Sequence, residues 1–312
     1  MFSYHRRIQS STSVFDPQNP SLAENNTDDF PTYRTAQNSV SVLYQAHIAG
    51  AWRNVTVHWT KNLITHSMSI TVDSYDGHQL HYQSCKIDLK PWHFWSKKGY
   101  KSFDVDDADV EVYWDLRSAK FSGSPEPSSD YYVAIVSDDE AVLLLGDSSK
   151  KAYKRTKARP ALADAILCYK KEHVFSKKSF STRSRFDERS QRHYDIVVES
   201  STSWPRDPEM WISVDGIVLI HVKNLQWKFR GNQTISVGSQ AVQVFWDVHD
   251  WLFKSPGTGN GLFIFKPAAE EEWEDAEVGS GSDGSGSRYH STHSCAGRSS
   301  HFCLFLYAWK LE

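Results

Sequence analysis

Two Trp-Asp dipeptides, Trp114-Asp115 and Trp246-Asp247, are the sharpest candidates for chemistry in this sequence. A carboxylate beside a buried indole loses solvation, so its pKa rises and it can exchange a proton near neutral pH. Asp115 and Asp247 are therefore the candidate acid–base residues. The competing reading is structural: each Asp ends a strand and caps the following turn, while each Trp fills the core. One structural role accounts for both copies at once, so no catalytic residue is assigned.

Asp247-Val-His249-Asp250 sets an imidazole among carboxylates, but Arg117 stands where His249 would lie in the first copy. A histidine on a polar turn is ordinarily solvated. Tyr289-His290-Ser-Thr-His293-Ser-Cys295, with His301 and Cys303, gathers metal-type ligands. It lacks the paired spacing of structural zinc sites, and no metal or cofactor is assigned. The third candidate is basic: Lys150, Lys151, Lys154, Arg155, Lys157 and Arg159 lie within ten residues. From Lys150 to Arg192 there are 14 Lys/Arg against four Asp/Glu. Such density suits phosphates, anionic headgroups or a nuclear localisation signal. A solvated linker, neutralised by the acidic run Glu270–Asp275, explains it equally well. Aromatic interleaving is too thin for single-strand stacking, so nucleic acid is not the favoured partner.

What would position these residues is a repeat. Sliding the chain by 132 residues lays Trp95–Phe121 on Trp227–Phe253 without a gap, with eight of 27 positions identical. The match runs from Trp95/Trp227 and Gly99/Gly231 to Trp114-Asp115/Trp246-Asp247, which implies an internal duplication. Around it, apolar residues alternate at Val40–Tyr44, Val55–Trp59 and Met68–Val72, and again at Val110–Trp114, Tyr131–Val136 and Ala141–Leu145. Asp76-Gly77 and Asp215-Gly216 read as hairpin turns, and a strand is expected at Trp92–Trp95. The second copy reads the same way, closing with Phe302–Trp309. Ala161–Lys171 is the one candidate helix, and it reads equally as strand.

The expected fold is all-β with very little helix: two tandem related antiparallel β-units, either lipocalin-like barrels or sandwiches. The first spans 36–160 and the second 161–312. Residues 1–35 are polar and expected to be disordered, as is the acidic, Gly/Ser-rich insert at 268–300. The net charge of −3 gives no global attraction to nucleic acid or membrane. Four cysteines in 312 residues form no disulfide framework. With no signal-peptide core and no apolar run long enough to span a bilayer, the reading is a soluble, reduced protein of the cytoplasm or the nucleus.

The stretches Asp207–Gly216, His221–Thr234 and Val244–Phe253 resemble a plant family catalogued as domain of unknown function 868. Ser124–Ala134, Leu144-Leu-Gly-Asp147 and Lys171-Glu-His-Val-Phe175 resemble it too. The resemblance covers about 35–310 and implies a plant origin; it supplies no activity and no site residues.

Without a dinucleotide fingerprint after a strand, a phosphate loop, a nucleophile elbow or a His-Glu-x-x-His motif, the commonest cofactor and hydrolase chemistries lose ground. The function favoured is a non-enzymatic β-scaffold that binds a protein partner or an apolar small molecule. Trp95, Trp114, Trp227 and Trp246 are the candidate cavity lining for the latter. The alternatives are an acid–base enzyme using Asp115 or Asp247, and a peripheral adaptor docking on anionic surfaces through Lys150–Arg159.

Overall fold

A computed structural model describes residues 38–62, 65–76, 79–89, 94–186, 192–201, 207–268 and 302–311. The tail at 1–35, the insert from residue 269 on, the Tyr289–Cys295 cluster with His301, and Gly77 lie outside the described residues.

Alternation of apolar and polar residues makes β1 (Asn38–Ile48), β2 (Ala51–Lys61), β3 (His66–Asp76) and β4 (Gln79–Leu89) an antiparallel meander. Side chains two apart share a face, so Val40, Val57, Trp59 and Ile70 are all buried together. Facing them are β5 (Lys98–Val105), β6 (Ala108–Asp115), β7 (Tyr132–Ser137) and β8 (Glu140–Leu145), with the two-residue β9 (Arg159–Pro160) beside β8. One hydrophobic cluster joins the two layers. Every residue of β7 is buried. Val133 and Ile135 face the core, while Tyr132 and Ala134 are covered by Ala152 of helix α1 (Ser149–Thr156).

The second unit repeats this two-layer plan. The four-stranded sheet β11 (Ser179–Ser184), β12 (Tyr194–Ser201), β13 (Glu209–Val214) and β14 (Ile217–Val222) packs on β15 (Arg230–Val237), β16 (Gln240–Asp247), β17 (Asn260–Pro267) and β18 (Cys303–Lys310). Helix α2 (His249–Phe253) follows β16. Strand β10 (Ile166–Ser176) joins the units. It pairs antiparallel with β1 and parallel with β18, giving one sheet in the order β15-β16-β17-β18-β10-β1-β2-β3-β4.

The sheets are therefore open, with edge strands, and of the two expected architectures the barrel is not formed. One local reading is also corrected: residues 94–97 form a 3-10 turn in place of a strand ending at Trp95. Of the two readings of Ala161–Lys171 the strand is the one formed, as β10 from Ile166 onward. The longer of the two helices among the described residues, α1, falls inside the basic stretch; it is short and buries just Ala152, so it has no apolar stripe to read. Cys85, Cys168 and Cys303 are free thiols. Among the described residues no helix is long and apolar enough to cross a membrane.

The 132-residue offset holds at the level of single hydrogen bonds. Trp114 Nε1 donates to the Ser96 carbonyl at 3.0 Å, and Trp246 Nε1 to the Lys228 carbonyl at 3.1 Å. Leu116 N–H donates to Lys97, and Val248 N–H to Phe229. Each indole lies across the neighbouring strand at a glycine, Gly99 or Gly231, where a Cβ would collide with the six-membered ring. Gly231→Ala is accordingly expected to lower stability by about 1–3 kcal/mol through overpacking. Urea unfolding checks this, and a change under about 0.5 kcal/mol would show that the indole moves aside freely.

Candidate functional site

Asp115 accepts from the Arg117 side chain at 2.9 and 2.8 Å and from the Arg117 backbone N–H at 3.3 Å. Those hydrogen bonds hold its carboxyl below the ordinary carboxylate range. Asp247 is used in the same way, by Arg230 Nε at 2.8 Å and the His249 N–H at 3.1 Å. Each Asp ends its strand and ties down the next turn, so the geometry favours the structural role over proton transfer. Nor do the tryptophans surround a cavity. Trp114 is in the core, Trp246 is half-buried against Gly231, and Trp227 is 80% exposed. The Trp95 side chain lies outside the described part. His249 Nδ1 sits 3.1 Å from Asp250 Oδ1, with its ring against Phe229 and Phe253, half-buried at the start of α2. Among the described residues no group of three or more His, Cys, Asp or Glu is placed to hold a metal.

The basic residues Lys150, Lys151, Lys154, Arg155, Lys157 and Arg159 are all exposed, on α1 and the turn after it. They lie on the outer side of the first sandwich, away from its core.

What sequence reasoning missed is a cleft of about 1950 Å3 between the two sandwiches. Its floor is the seam of the nine-stranded sheet, where Val42 and Tyr44 of β1 meet Lys170 and Glu172 of β10. Its walls are β8, which β9 pairs only at Glu140 and Ala141, on one side and the edge strand β11 on the other. Lys170 Nζ lies 2.8 Å from Glu172 Oε1 and 3.0 Å from Glu126 Oε2, and it donates to the Arg183 carbonyl at 2.9 Å. An ammonium has three donors, and all three are used. Thr182 Oγ1 donates to Glu172 at 2.6 Å, while Ser184 Oγ is buried without a hydrogen-bond partner. The network draws on both units: Glu126 from a loop of the first, Thr182 and Arg183 from β11 of the second.

Electrostatics fix the protonation states. Burial alone would depress the Lys170 ammonium, but Glu126 and Glu172 outweigh it and push its pKa above the ordinary lysine value. Burial, reinforced by Glu126, raises the Tyr44 and Tyr131 hydroxyls. Burial and the charges of Arg185 and Lys170 lower the His193 imidazole. At neutral pH the cleft therefore holds a locked ion triad, neutral phenols and a neutral imidazole. Such a set recognises a ligand by hydrogen bonds; its lysine, charged and fully bonded, is no nucleophile.

The model of a family described as "Plant protein of unknown function (DUF868)" matches residues 35–310. The chain belongs to that family. No curated protein and no solved structure matches. Every cleft residue named above falls inside the DUF868 match. So do the loop carrying Glu126, the Leu144–Asp147 corner and the Lys171–Phe175 run, which bear the sequence resemblance. The legible signal for the cleft was the inward face of β10. Cys168, Lys170, Glu172 and Val174 alternate along it, so two charges stand on a face that otherwise reads as core.

Proposed function

We propose that this protein is a non-enzymatic β-scaffold whose inter-sandwich cleft holds an extended segment of a partner protein, added as a strand to an edge of β8 or β11. The observation that carries the reading is the pair of strand edges, β8 past Ala141 and β11, facing one another across the cleft. Lys178 O bonds Ser200 N–H, so the even-numbered residues of β11 face β12. Arg183 O, turned to Lys170, confirms that the odd-numbered ones face the cleft. Past Ala141 no strand among the described residues pairs the second edge of β8. Unpaired strand edges are templates for strand addition, and the side chains around them give specificity. The buried Ser184 hydroxyl, which has no hydrogen-bond partner, lies in the cleft lining and offers a polar group for recognition. The apolar-ligand reading has less support, because Trp114, Trp227 and Trp246 face no common cavity.

Selection of random linear peptides on the purified protein, followed by Ser181→Pro, tests the proposal. The Ser181 N–H points away from β12, so proline there leaves the β11–β12 ladder intact while removing an edge donor. Selected peptides should lose about ten-fold or more in affinity on the variant. Peptides that bind both proteins equally would remove β11 as the edge that takes the strand, and a selection yielding none would remove the cleft as a peptide site.

A further inference from the structure

The cleft leaves unused the densest positive charge among the described residues. In α1, Lys150, Lys151, Lys154 and Arg155 are spaced i, i+1, i+4 and i+5, so they line one side of the helix. Ala152 on the opposite side docks on β7. Lys157 and Arg159 extend the stripe, and all six side chains are exposed. Among ion pairs of the described residues, Arg159–Glu140 at 3.0 Å is the one that involves them. Among the described residues no other ion pair neutralises them: Asp147 accepts from the Asp130 and Tyr131 N–H groups, and Asp138, Asp139 and Asp164 stand exposed without an ion pair to the stripe. Three residues past Arg159 stands Leu162, 92% exposed, the most exposed large apolar side chain in the described structure. Its backbone N–H is held by Glu140 Oε2 at 3.2 Å, so the loop presents the leucine to solvent in a fixed place.

We propose that α1 and the Arg159–Leu162 loop dock the protein on an anionic bilayer, with the cations on lipid headgroups and Leu162 in the interfacial layer. Cations alone suit any polyanion; the leucine at their edge distinguishes a lipid surface, which takes up apolar side chains, from a nucleic acid backbone, which does not. Each basic side chain near an anionic leaflet raises partitioning about five-fold. Several acting together give binding that is measurable, reversible and steeply weakened by salt.

The experiment is cosedimentation of the full chain with phosphatidylcholine vesicles, with and without an equal share of phosphatidylserine, at low and high salt. Binding is expected on the phosphatidylserine vesicles at low salt and not on pure phosphatidylcholine. The triple variant Lys150→Glu/Lys151→Glu/Lys154→Glu should abolish it. Leu162→Asp should weaken it about ten-fold while retaining the salt dependence. All four positions are exposed, and circular dichroism confirms that the variants fold. Failure to bind anionic vesicles, binding untouched by the charge reversals, or an unchanged affinity in Leu162→Asp overturns the proposal. So does tighter binding to duplex DNA than to the vesicles. The peptide selection above is read out at Ser181 of β11, a position the vesicle variants leave untouched, so either result stands apart from the other.

Discussion

Lys170→Met is expected to lower the stability of the fold by about 3–5 kcal/mol, because it strands a buried carboxylate. The Glu172 side chain is 4% exposed, and the substitution leaves it the Thr182 hydroxyl alone. Glu126, more exposed, can turn to water, so the penalty falls mainly on Glu172. The second half of the prediction separates an unpaired charge from simple loss of packing. Lys170→Met combined with Glu172→Leu removes both charges and should recover most of the loss, as replacing a buried pair by apolar groups is close to neutral. Urea unfolding of wild type, single and double variants forms the cycle. A single variant within about 1 kcal/mol of wild type would mean that water reaches Glu172 and the triad is not a structural element.

Lys310→Met is expected to act in the opposite direction. Lys310 is buried beside Trp251, with its ammonium 5.0 Å from the indole centroid, and burial lowers its pKa from 10.5 to about 8. At about 1.4 kcal/mol per pH unit, that depression corresponds to a cost of about 3 kcal/mol for keeping the folded amine charged. Below pH 8 both folded and unfolded chains carry the proton and the whole cost is present. Between about 8 and 10.5 the folded chain releases its proton first, so stability rises with pH and the cost disappears. Methionine has no proton to lose. The variant should exceed wild type at pH 7 by up to about 3 kcal/mol, less whatever the cation–π contact returns, and the two should converge toward pH 10. Tyr169 and Tyr307, whose hydroxyls burial raises, lose stability above pH 10 in both proteins and cancel in the comparison. A difference that does not shrink with pH would contradict the assignment.

The strands were legible because their side chains alternate. Val55-Thr-Val-His-Trp59 and Met68-Ser-Ile-Thr-Val72 each commit one face to the core, and local pattern suffices to show it. The Trp95–Phe121 offset was legible for a similar reason, since Gly99 and Trp114 have to meet across one hairpin, as do Gly231 and Trp246. The helix α1 was not, because a turn that buries a single alanine carries no periodic signal. Nor was the cleft. Lys170 and Glu172 were visible as charges on a strand, but what makes them a site is Glu126, 44 positions before Lys170 in the chain, together with Thr182 and Arg183 from the next unit. Nothing local to β10 says that its neighbours are β1 on one side and β18 on the other. That choice is made by packing over long sequence separations, where single-sequence patterns are silent.

The position of β10 also sets an order of events during synthesis. It leaves the ribosome between the two units and can pair with β1 at once, extending the first sandwich by a strand. Its other edge must then wait for β18, which arrives after every other described strand and enters between β17 and β10. Throughout that interval the growing chain carries an exposed strand edge in the middle of its future sheet. The nascent polypeptide is thus at its stickiest just before β18 docks, and closure of the seam by β18 removes that edge.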